Sequence, residues 1–189
     1  MAGDGEGLAA HSPIALSEAI KALPPAALAG AASKLVAASV GDISVVFSRS
    51  PDHKHYALAD LEWMILPAVA HGQFYVAEAM NKTTGFRAPI AVVTWALVSE
   101  EVDRRLSADL SDRIRLRPDE WKSGDVAWIV ELAGAPAGVR HALQWLKAGP
   151  FKDRDIKLVV RDGSGAPQAV TLDKLMSAAS AKATKEKMS

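Results

Sequence analysis

One segment, Phe86 to Val98, limits the fold most tightly because it is apolar almost throughout. A strand with apolar residues on both faces is typical of the middle of a sheet that is covered on both sides. Another strand pattern, Gln73 to Met80, precedes it across the polar turn Asn81 to Gly85, and this spacing predicts an antiparallel hairpin with a longer loop. The rest of the chain must therefore supply helices for both faces of a sheet.

Further periodic segments surround this hairpin. Helices are predicted from Ser12-Pro13 to Pro24, from Pro25 to Ser39 with Gly41 as C-terminal cap, from Ala57 to His71, after Ser99, from Ala137 to Lys147, and from Asp173 onwards. Strands are predicted at Ile43 to Ser48, at Val126 to Ala133, and in a closing hairpin of Ile156 to Arg161 with Gln168 to Leu172, while Arg113 to Arg117 fits a short strand or an extended loop. Because two connections are hairpins, the expected fold is α/β (α+β), one mixed sheet with helices on both faces.

The domain organisation follows from length and end composition. A chain of 189 residues is long enough for one substantial core and short for two. Residues 1–11 are small and polar and predict a disordered tail, and the basic residues 186–189 predict a frayed C-terminus. Residues 12–185 are expected to form a single domain.

Charge and composition exclude several function classes. The 22 basic and 22 acidic side chains give a formal net charge of zero, so no overall field attracts nucleic acid or an anionic membrane. The absence of cysteine excludes disulfides and thiolate chemistry and is compatible with a reducing compartment. The Ala-rich run Ala26 to Val40 is interrupted by Lys34 and is too short to span a bilayer. A soluble, cytoplasmic protein is expected.

The residue types predict that chemistry is located at the corner from Ile43 to Pro67, where a predicted strand meets a polar turn and then a helix. His53 and His55 alternate in the turn, but zinc needs three or four ligands and the sequence offers no second pair, so no metal site is predicted. A structural interpretation is also open, in which Ser50 caps the following helix and His53 lies in its first turn. Pro67 predicts a kink or a tightened last turn in that helix.

Familiar catalytic signatures are absent from the sequence. It contains no Walker loop, no strand-turn-helix GxGxxG, no GxSxG elbow and no HExxH helix. The run Gly163-Ser164-Gly165 lies between two predicted strands, and this context indicates a hairpin turn rather than a phosphate-binding loop.

A series of short motifs nevertheless runs through the middle of the chain. In order, they are Ser50-Pro51-x-His53, Leu66-Pro67-Ala68-Val69, Gly72-Gln73-Phe74-Tyr75, Thr94-Trp95-Ala96, Trp121-x-Ser123-Gly124-Asp125 and Trp128-Ile129-Val130-Glu131. With these motifs, the region from about Gly41 to Val160 resembles the RTX toxin-activating lysine acyltransferases, the hemolysin-activating family. Members of this family move a fatty acyl group from acyl carrier protein to internal lysines of a protoxin.

The resemblance implies specific site residues. The family's catalytic histidine falls on His53, and its acidic partner, an aspartate, falls on Glu131, which keeps the charge and adds a methylene. Two segments depart from the family pattern: Lys54-His55-Tyr56 stands where Arg-x-Trp is usual, and Val93-Thr94-Trp95 stands where Cys-Ser-Trp is usual. These departures bear on the acceptor and on the preferred acyl chain length.

The resemblance also implies a fold, a donor and partners. The family's fold is similar to that of the GNAT acetyltransferases, which agrees with the mixed sheet expected above. Coenzyme-A-dependent GNATs carry an Arg/Gln-x-x-Gly-x-Gly/Ala loop for the pyrophosphate at a helix start, and Arg161 to Gly165 has neither this spacing nor this context. Acyl carrier protein is therefore the expected co-substrate with no bound cofactor, an RTX-type protoxin is the expected acceptor, and a homodimer is expected.

The implied mechanism is general base catalysis. A lysine amine has a reference pKa near 10.4, so a base must remove its proton during attack at pH 7. His53 is expected to deprotonate the acceptor lysine or to carry the acyl group briefly, and Glu131 is expected to orient the imidazole. Ser50 is expected to shape the turn, where backbone N–H groups hold the thioester oxygen. Trp95 is assigned either to an acyl channel or to core packing.

Two other functions remain open at this point. A non-catalytic module on the same fold, binding a carrier protein or a hydrophobic ligand, is motivated by Glu131 and by the altered residues after His53. A coenzyme-A-dependent GNAT N-acyltransferase is the third.

Overall fold

The computed structural model describes residues 7–11, 25–110 and 114–178. The strands are β1 (Gly7–His11), β2 (Phe74–Met80), β3 (Arg87–Val98), β4 (Val126–Gly134), β5 (Ile156–Arg161) and β6 (Pro167–Thr171). The helices are α1 (Pro25–Arg49), α2 (Leu61–Met64), α3 (Leu66–Ala70), α4 (Glu100–Ala108), α5 (Pro136–Ala148) and α6 (172–178). Short 3₁₀ helices lie at Leu58–Asp60 and Pro118–Glu120.

The six strands form a mixed sheet in the order β1-β2-β3-β4-β5-β6. The neighbours β1 and β2, β2 and β3, and β5 and β6 are antiparallel, whereas β4 and β5 are parallel. Both predicted hairpins are present, and the expected α/β fold with a mixed sheet is confirmed.

The described residues cluster into two compact units. The first holds the chain up to Thr94 together with Glu131–Trp145, and the second holds Trp95–Val130 and the chain from Leu146 onwards.

In the first unit, helices cover both faces of the strands. Val76 and Val92 pack with Phe47 of α1 in one buried cluster. Tyr75, the neighbour of Val76, points to the opposite face of β2, where its ring stacks on Trp145 of α5 at a centroid distance of 4.3 Å. The hairpin is therefore apolar on both faces because helices cover both faces, as predicted.

The second unit is built around tryptophans. Trp95 packs edge-on against Phe151, with ring centroids 5.9 Å apart. The indole of Trp128 is fully buried and donates its Nε1 hydrogen to Asp103 at 2.8 Å. The ammonium group of Lys157 contacts the same carboxylate at 2.7 Å, so the buried indole is joined to an ion pair.

The predicted strand at Ile43 to Ser48 is wrong, because α1 continues through these residues to Arg49. Ile43, Val46 and Phe47 are buried, whereas Val45 is exposed, and this spacing of three and four is the face of a helix. Burial of that face outweighs the strand preference of β-branched residues. Gly41 consequently lies inside the helix and does not cap it.

The Ala-rich run Ala26 to Val40 is part of a longer helix than predicted, α1. By length and composition alone, Ala29–Arg49, with 21 residues and a mean hydropathy of 1.4, could cross a membrane. Only 22% of that stretch is buried within the protein. Core helices of water-soluble proteins meet the same two criteria, and the C-terminal part of α1 packs in the core described above.

The predicted helix from Ala57 to His71 is divided into the 3₁₀ turn, α2 and α3, with the break at Ile65. Pro67 explains the break, because it has no N–H to donate to the carbonyl of Trp63 four residues earlier. Gly72, with φ of +65°, ends the segment as predicted.

The expected disordered tail is wrong for Gly7–His11, which pair with β2 along their whole length. Strand pairing uses main-chain groups, so small residues suffice to cover the open edge of β2. The remaining tail, the helix predicted before Pro24, and the C-terminus from residue 179 lie outside the described residues. Residues 114–117 form no regular strand.

Candidate active site

The corner after α1 is a tight turn that presents His53. The carbonyl of Ser50 accepts hydrogen bonds from the N–H groups of His53 and Lys54, each at 3.0 Å. The N–H of Tyr56 donates to the carbonyl of His53, also at 3.0 Å. Pro51 fixes one backbone dihedral in this turn. The short loop therefore holds the His53 ring at a defined position directly after the helix.

His53 lies in the middle of a buried series of three hydrogen-bonded side chains. Its Nε2 atom is 2.8 Å from Oε2 of Glu131, and its Nδ1 atom is 2.8 Å from Oγ of Ser50. His53 and Glu131 are each 6% exposed, and Ser50 is 9% exposed. The predicted pairing of His53 with Glu131, 78 residues apart in sequence, is present in the structure.

The hydrogen-bond partners define the tautomer of neutral His53. An ionised carboxylate can only accept, so Nε2 carries the hydrogen and donates it to Glu131. Nδ1 is then the acceptor, and the Ser50 hydroxyl donates to it. The lone pair that can receive a proton therefore faces Ser50.

Aromatic rings hold the imidazole plane. The ring of Phe47 stacks on His53 with centroids 4.3 Å apart and an interplanar angle of 21°. Tyr56 approaches the ring at 6.2 Å and packs edge-on against Trp63 at 5.9 Å. Stacking on Phe47, one turn before Ser50, restricts rotation of the His53 ring and keeps both nitrogens directed at their partners.

Glu131 is held through its backbone by Thr94. The N–H of Glu131 donates to the Thr94 hydroxyl oxygen at 3.1 Å, and Thr94 is fully buried. The second carboxylate oxygen, Oε1, is buried and has no hydrogen-bond partner among the described residues. The carboxylate therefore has unused acceptor capacity beside the imidazole.

A cavity of about 350 Å³ borders this series of side chains at Ser50. Its lining is otherwise apolar or backbone, with one basic residue, and consists of Val46, Arg49, Ser50, Pro51, Pro89, Ile90, Gly134 and Ala135. Gly134 has φ of +121°, and a Cβ there would lie 2.2 Å from the carbonyl oxygen of Ile90. Only glycine therefore permits this close approach of β4 to β3 at the cavity wall.

The structure revises the roles expected for neighbouring residues. The Ser50 hydroxyl contacts His53, and the next helical turn begins only at Leu58, so the helix-capping interpretation is wrong. The N–H groups of His53 and Lys54 are both used by the turn, and the expectation that N–H groups of this corner hold the thioester oxygen stays a prediction. His55 is exposed, unlike His53. The assignment of Trp95 to an acyl channel stays a prediction, and its contact with Phe151 fits the core alternative.

No group of three or more His, Asp or Glu side chains that could hold a metal ion occurs within residues 7–11, 25–110 and 114–178.

Sequence reasoning missed Thr94 and Phe47 as supporting residues. A signal for Thr94 was present, since it is the single hydroxyl in an otherwise apolar strand. Phe47 became recognisable only when the segment was seen as a helix, which places it three residues before Ser50 on the same face.

Comparison with known proteins gives a consistent picture. The model of the HlyC family, described as the RTX toxin acyltransferase family, matches residues 33–172, more than half of the chain. The lysine-acyltransferase RtxC of Vibrio cholerae is 33% identical over 99 residues, which are 52% of this chain and 59% of that protein. The leukotoxin-activating lysine-acyltransferase LktC of a Pasteurella haemolytica-like species is 30% identical over 99 residues, 52% and 54% of the two chains.

A third relative is the protein-lysine myristoyltransferase HlyC of Escherichia coli, 27% identical over 122 residues, 65% of this chain and 64% of that protein. The chain spans between about half and two thirds of the length of these relatives. Both His53 and Glu131 lie inside the range that the family model matches.

Proposed function

The chain belongs to the RTX toxin acyltransferase family, and on that premise we propose that it is a protein-lysine acyltransferase. It moves a fatty acyl group from acyl carrier protein to internal lysine side chains of an RTX-type protoxin. The observation that carries the proposal is the buried series Glu131, His53 and Ser50 at the edge of a cavity. We expect the reaction to take place in the cytoplasm. We also expect the protein to be a homodimer, which light scattering can test.

The chemistry requires a base at this position. About three pH units below its reference pKa near 10.4, roughly one lysine amine in a thousand is neutral. The neutral imidazole of His53 has its basic lone pair on Nδ1, which accepts the hydrogen bond of the cavity-lining Ser50 hydroxyl. The Ser50 hydroxyl therefore passes the amine proton to Nδ1, and the Glu131 carboxylate stabilises the imidazolium that forms.

The bonds change as follows in this proposal. The lysine ammonium group first loses one proton to solvent, and the neutral nitrogen then attacks the thioester carbon and forms the C–N bond of the amide. Its proton moves through Ser50 to His53. The C–S bond then breaks, and the proton passes from His53 to the leaving thiolate, which departs as the thiol of the carrier. No oxidant, reductant or further reactant is needed.

The geometry favours a base over an acyl-histidine. Both ring nitrogens are already engaged, Nε2 with Glu131 and Nδ1 with Ser50, each at 2.8 Å. Acylation of either nitrogen would break one of these buried hydrogen bonds. Protonation of Nδ1 needs only a shift of the hydrogen along the existing contact.

The same geometry argues against the non-catalytic module. The extra methylene of Glu131 does not displace its carboxylate from His53, since the contact is 2.8 Å. A protein that uses the fold only for binding has no need of this buried, aligned pair.

The test is transfer itself, read by intact mass. The protein is incubated with acyl carrier protein loaded with a fatty acid and with an RTX-type acceptor, and the acceptor is expected to gain the mass of the acyl group. His53→Ala is expected to reduce the rate at least 100-fold, whereas the matched variant His55→Ala, at an exposed position two residues away, retains it. Wild-type transfer by His53→Ala would exclude the mechanism, and carrier binding without transfer would favour the module.

A further inference from the structure

Among the described residues that line the cavity beside Ser50, Arg49 alone carries a charge. Arg49 is the last residue of α1 and immediately precedes Ser50. Its side chain is exposed, and no ion pair between described residues involves it. The other seven lining residues carry no charge. Within the part of the chain that the structure describes, the guanidinium is therefore a cation without an ion-pair partner at the edge of the cavity that Ser50 borders.

Two main-chain N–H groups of this turn are already engaged and therefore do not stabilise a developing negative charge. Acyl transfer from a thioester turns the carbonyl oxygen into an oxyanion, which needs hydrogen-bond donors or a cation near it. The N–H groups of His53 and Lys54 donate to the Ser50 carbonyl, and Pro51 has no N–H. The main-chain donors of His53 and Lys54 are thus unavailable.

A cation here also discriminates between the two substrates. A lysine acceptor enters with a positively charged ammonium group, which a neighbouring guanidinium repels. A thioester is neutral and becomes negative only as it reacts, so the guanidinium interacts more strongly with its transition state than with its ground state. The cavity is accordingly suited to the thioester end of the donor.

Resting on the function proposed above, we propose that the cavity lined by Val46, Pro89 and Ile90 binds the thioester of the acyl donor and that Arg49 is a catalytic residue. The guanidinium of Arg49 donates to the carbonyl oxygen as the lysine nitrogen attacks. The C–N bond forms while the oxygen becomes negative beside Arg49, and the amine proton leaves through Ser50 to His53. When the C–S bond breaks, the carbonyl re-forms, the oxygen loses its negative charge, and its interaction with the Arg49 guanidinium weakens.

Arg49 also lies at the C-terminus of α1, where a cation interacts favourably with the helix dipole. That role predicts a small loss of stability and no specific loss of turnover when Arg49 is replaced. The experiment below therefore measures both turnover and unfolding.

The experiment compares Arg49→Gln and Arg49→Lys with Lys34→Gln on the same helix. Lys34 is exposed and lies 15 residues earlier, roughly 22 Å along the helix axis. Each protein is assayed with acyl carrier protein and with acyl-coenzyme A as the donor. Removal of one oxyanion-stabilising group typically lowers kcat by about 100-fold to 1,000-fold. Arg49→Gln is expected to lose kcat on this scale with little change in the donor KM.

The two donors separate an oxyanion role from recognition of the carrier. Because both donors present the same thioester, Arg49→Gln is expected to lose the same factor with any donor that the wild type uses. Arg49→Lys keeps the charge without the planar guanidinium and is expected to retain part of the rate. Added guanidinium ion at low millimolar concentration is expected to raise the rate of Arg49→Gln, and Lys34→Gln is expected to match the wild type.

Several results would overturn the assignment. They are a kcat of Arg49→Gln within twofold of wild type, an equal loss in Lys34→Gln, or a loss confined to the KM for acyl carrier protein. A loss of turnover explained by reduced unfolding free energy would assign Arg49 to the helix end instead. If the wild-type protein transfers the acyl group from neither donor, the result contradicts the proposed function itself and is thereby distinguished from the outcomes above.

Discussion

Two buried glutamates, Glu131 in the first unit and Glu120 in the second, have opposite surroundings. Glu120 is 4% exposed and Glu131 is 6% exposed, so both carboxylates are almost completely removed from water. A buried carboxylate is stable only when it is hydrogen-bonded or paired with a cation. The partners of each glutamate therefore indicate its role.

Glu120 is satisfied by permanently charged groups. Its Oε2 atom accepts from Nη2 of Arg105 at 2.6 Å and from the N–H of Arg117 at 2.9 Å. Its Oε1 atom lies 3.1 Å from Nη2 of Arg117. Arginine stays protonated at any pH at which the protein folds, so this arrangement is the same throughout a catalytic cycle.

Glu131 has one titratable partner and one unsatisfied oxygen. Its Oε2 atom accepts from His53, and its Oε1 atom has no partner among the described residues. The interaction strengthens when His53 takes up a proton and weakens when it loses one. A glutamate paired with arginines therefore fits a structural role. A glutamate paired with a histidine can stabilise the imidazolium that forms when a proton is transferred.

The largest expected effect is on turnover in Glu131→Gln. Glutamine keeps the shape and can accept from Nε2 of His53, but it removes the negative charge that stabilises the imidazolium. The acyl-transfer rate is expected to fall about 100-fold to 10,000-fold, with a free energy of unfolding close to wild type. Steady-state acylation by intact mass and denaturant unfolding measure the two quantities.

Glu120→Gln is the matched control for that substitution, because it makes the same chemical change at an equally buried carboxylate. Its turnover is expected to stay within about twofold of wild type. Equal losses of activity in the two variants would contradict the contrast drawn between the two glutamates.

The next effect is on stability in Glu120→Ala. The truncation leaves the backbone N–H of Arg117 without its acceptor and separates two guanidinium groups from their counter-charge. Since Arg105 and Arg117 are 50% and 74% exposed, water replaces part of the lost interaction. The free energy of unfolding is expected to fall by about 2–3 kcal/mol, measured by urea unfolding, with turnover retained. A loss of turnover without a loss of stability would place Glu120 in the catalytic machinery.

A smaller effect is expected at Thr94, which supports Glu131. Thr94→Val has nearly the same shape but cannot accept the N–H of Glu131, so a buried donor is left unpaired. The unfolding free energy is expected to fall by roughly 1–2 kcal/mol, with a moderate loss of kcat. Thr94→Ser restores the acceptor and is expected to recover most of both quantities. Equal behaviour of the valine and serine variants would show that the hydroxyl has no such role.

Part of the site and of the fold could be predicted from the sequence. The pairing of His53 with Glu131 followed from the family resemblance, which implies that the family's catalytic histidine and its acidic partner fall on these two positions. The hairpins followed from strand-forming segments on either side of the turn residues around Asn81 and Gly163. These features depend on local composition or on the spacing of whole motifs, both of which are visible in the chain.

Other features depend on tertiary packing. The segment Ile43 to Ser48 has strand-forming residues, and only burial of one face against α2 and α3 makes it a helix. The Ser50 hydroxyl has several possible partners in its turn, and the position of the His53 ring selects one. That Oε1 of Glu131 has no hydrogen-bond partner among the described residues could not be inferred, because it depends on the packing of all neighbouring elements.

The smallest effect is expected at Asp162, an exposed carboxylate that provides a third case. Its oxygen accepts from the hydroxyl of Ser164 at 2.6 Å and from the N–H groups of Ser164 and Ala166 at 2.8 and 3.0 Å. These hydrogen bonds, the Ser164 hydroxyl foremost, lower the pKa of Asp162 below its ordinary value of 3.8. The stabilisation is therefore fully present above the pKa of the unfolded chain and is lost as the pH falls through the lower folded pKa.

Asp162→Asn removes the charge and keeps the turn geometry, so it tests this pH dependence directly. The variant is expected to be slightly less stable than wild type at pH 7, and the difference is expected to shrink as the pH is lowered below about 4. Urea midpoints measured from pH 7 to pH 2.5 provide the comparison, and turnover at pH 7 is expected to be unchanged. A difference in midpoint that stays constant over this range would mean that the Asp162 charge does not stabilise the turn. The hairpin would then depend on the hydrogen-bonding geometry of the side chain alone, in contrast to Glu131, for which charge is expected to decide.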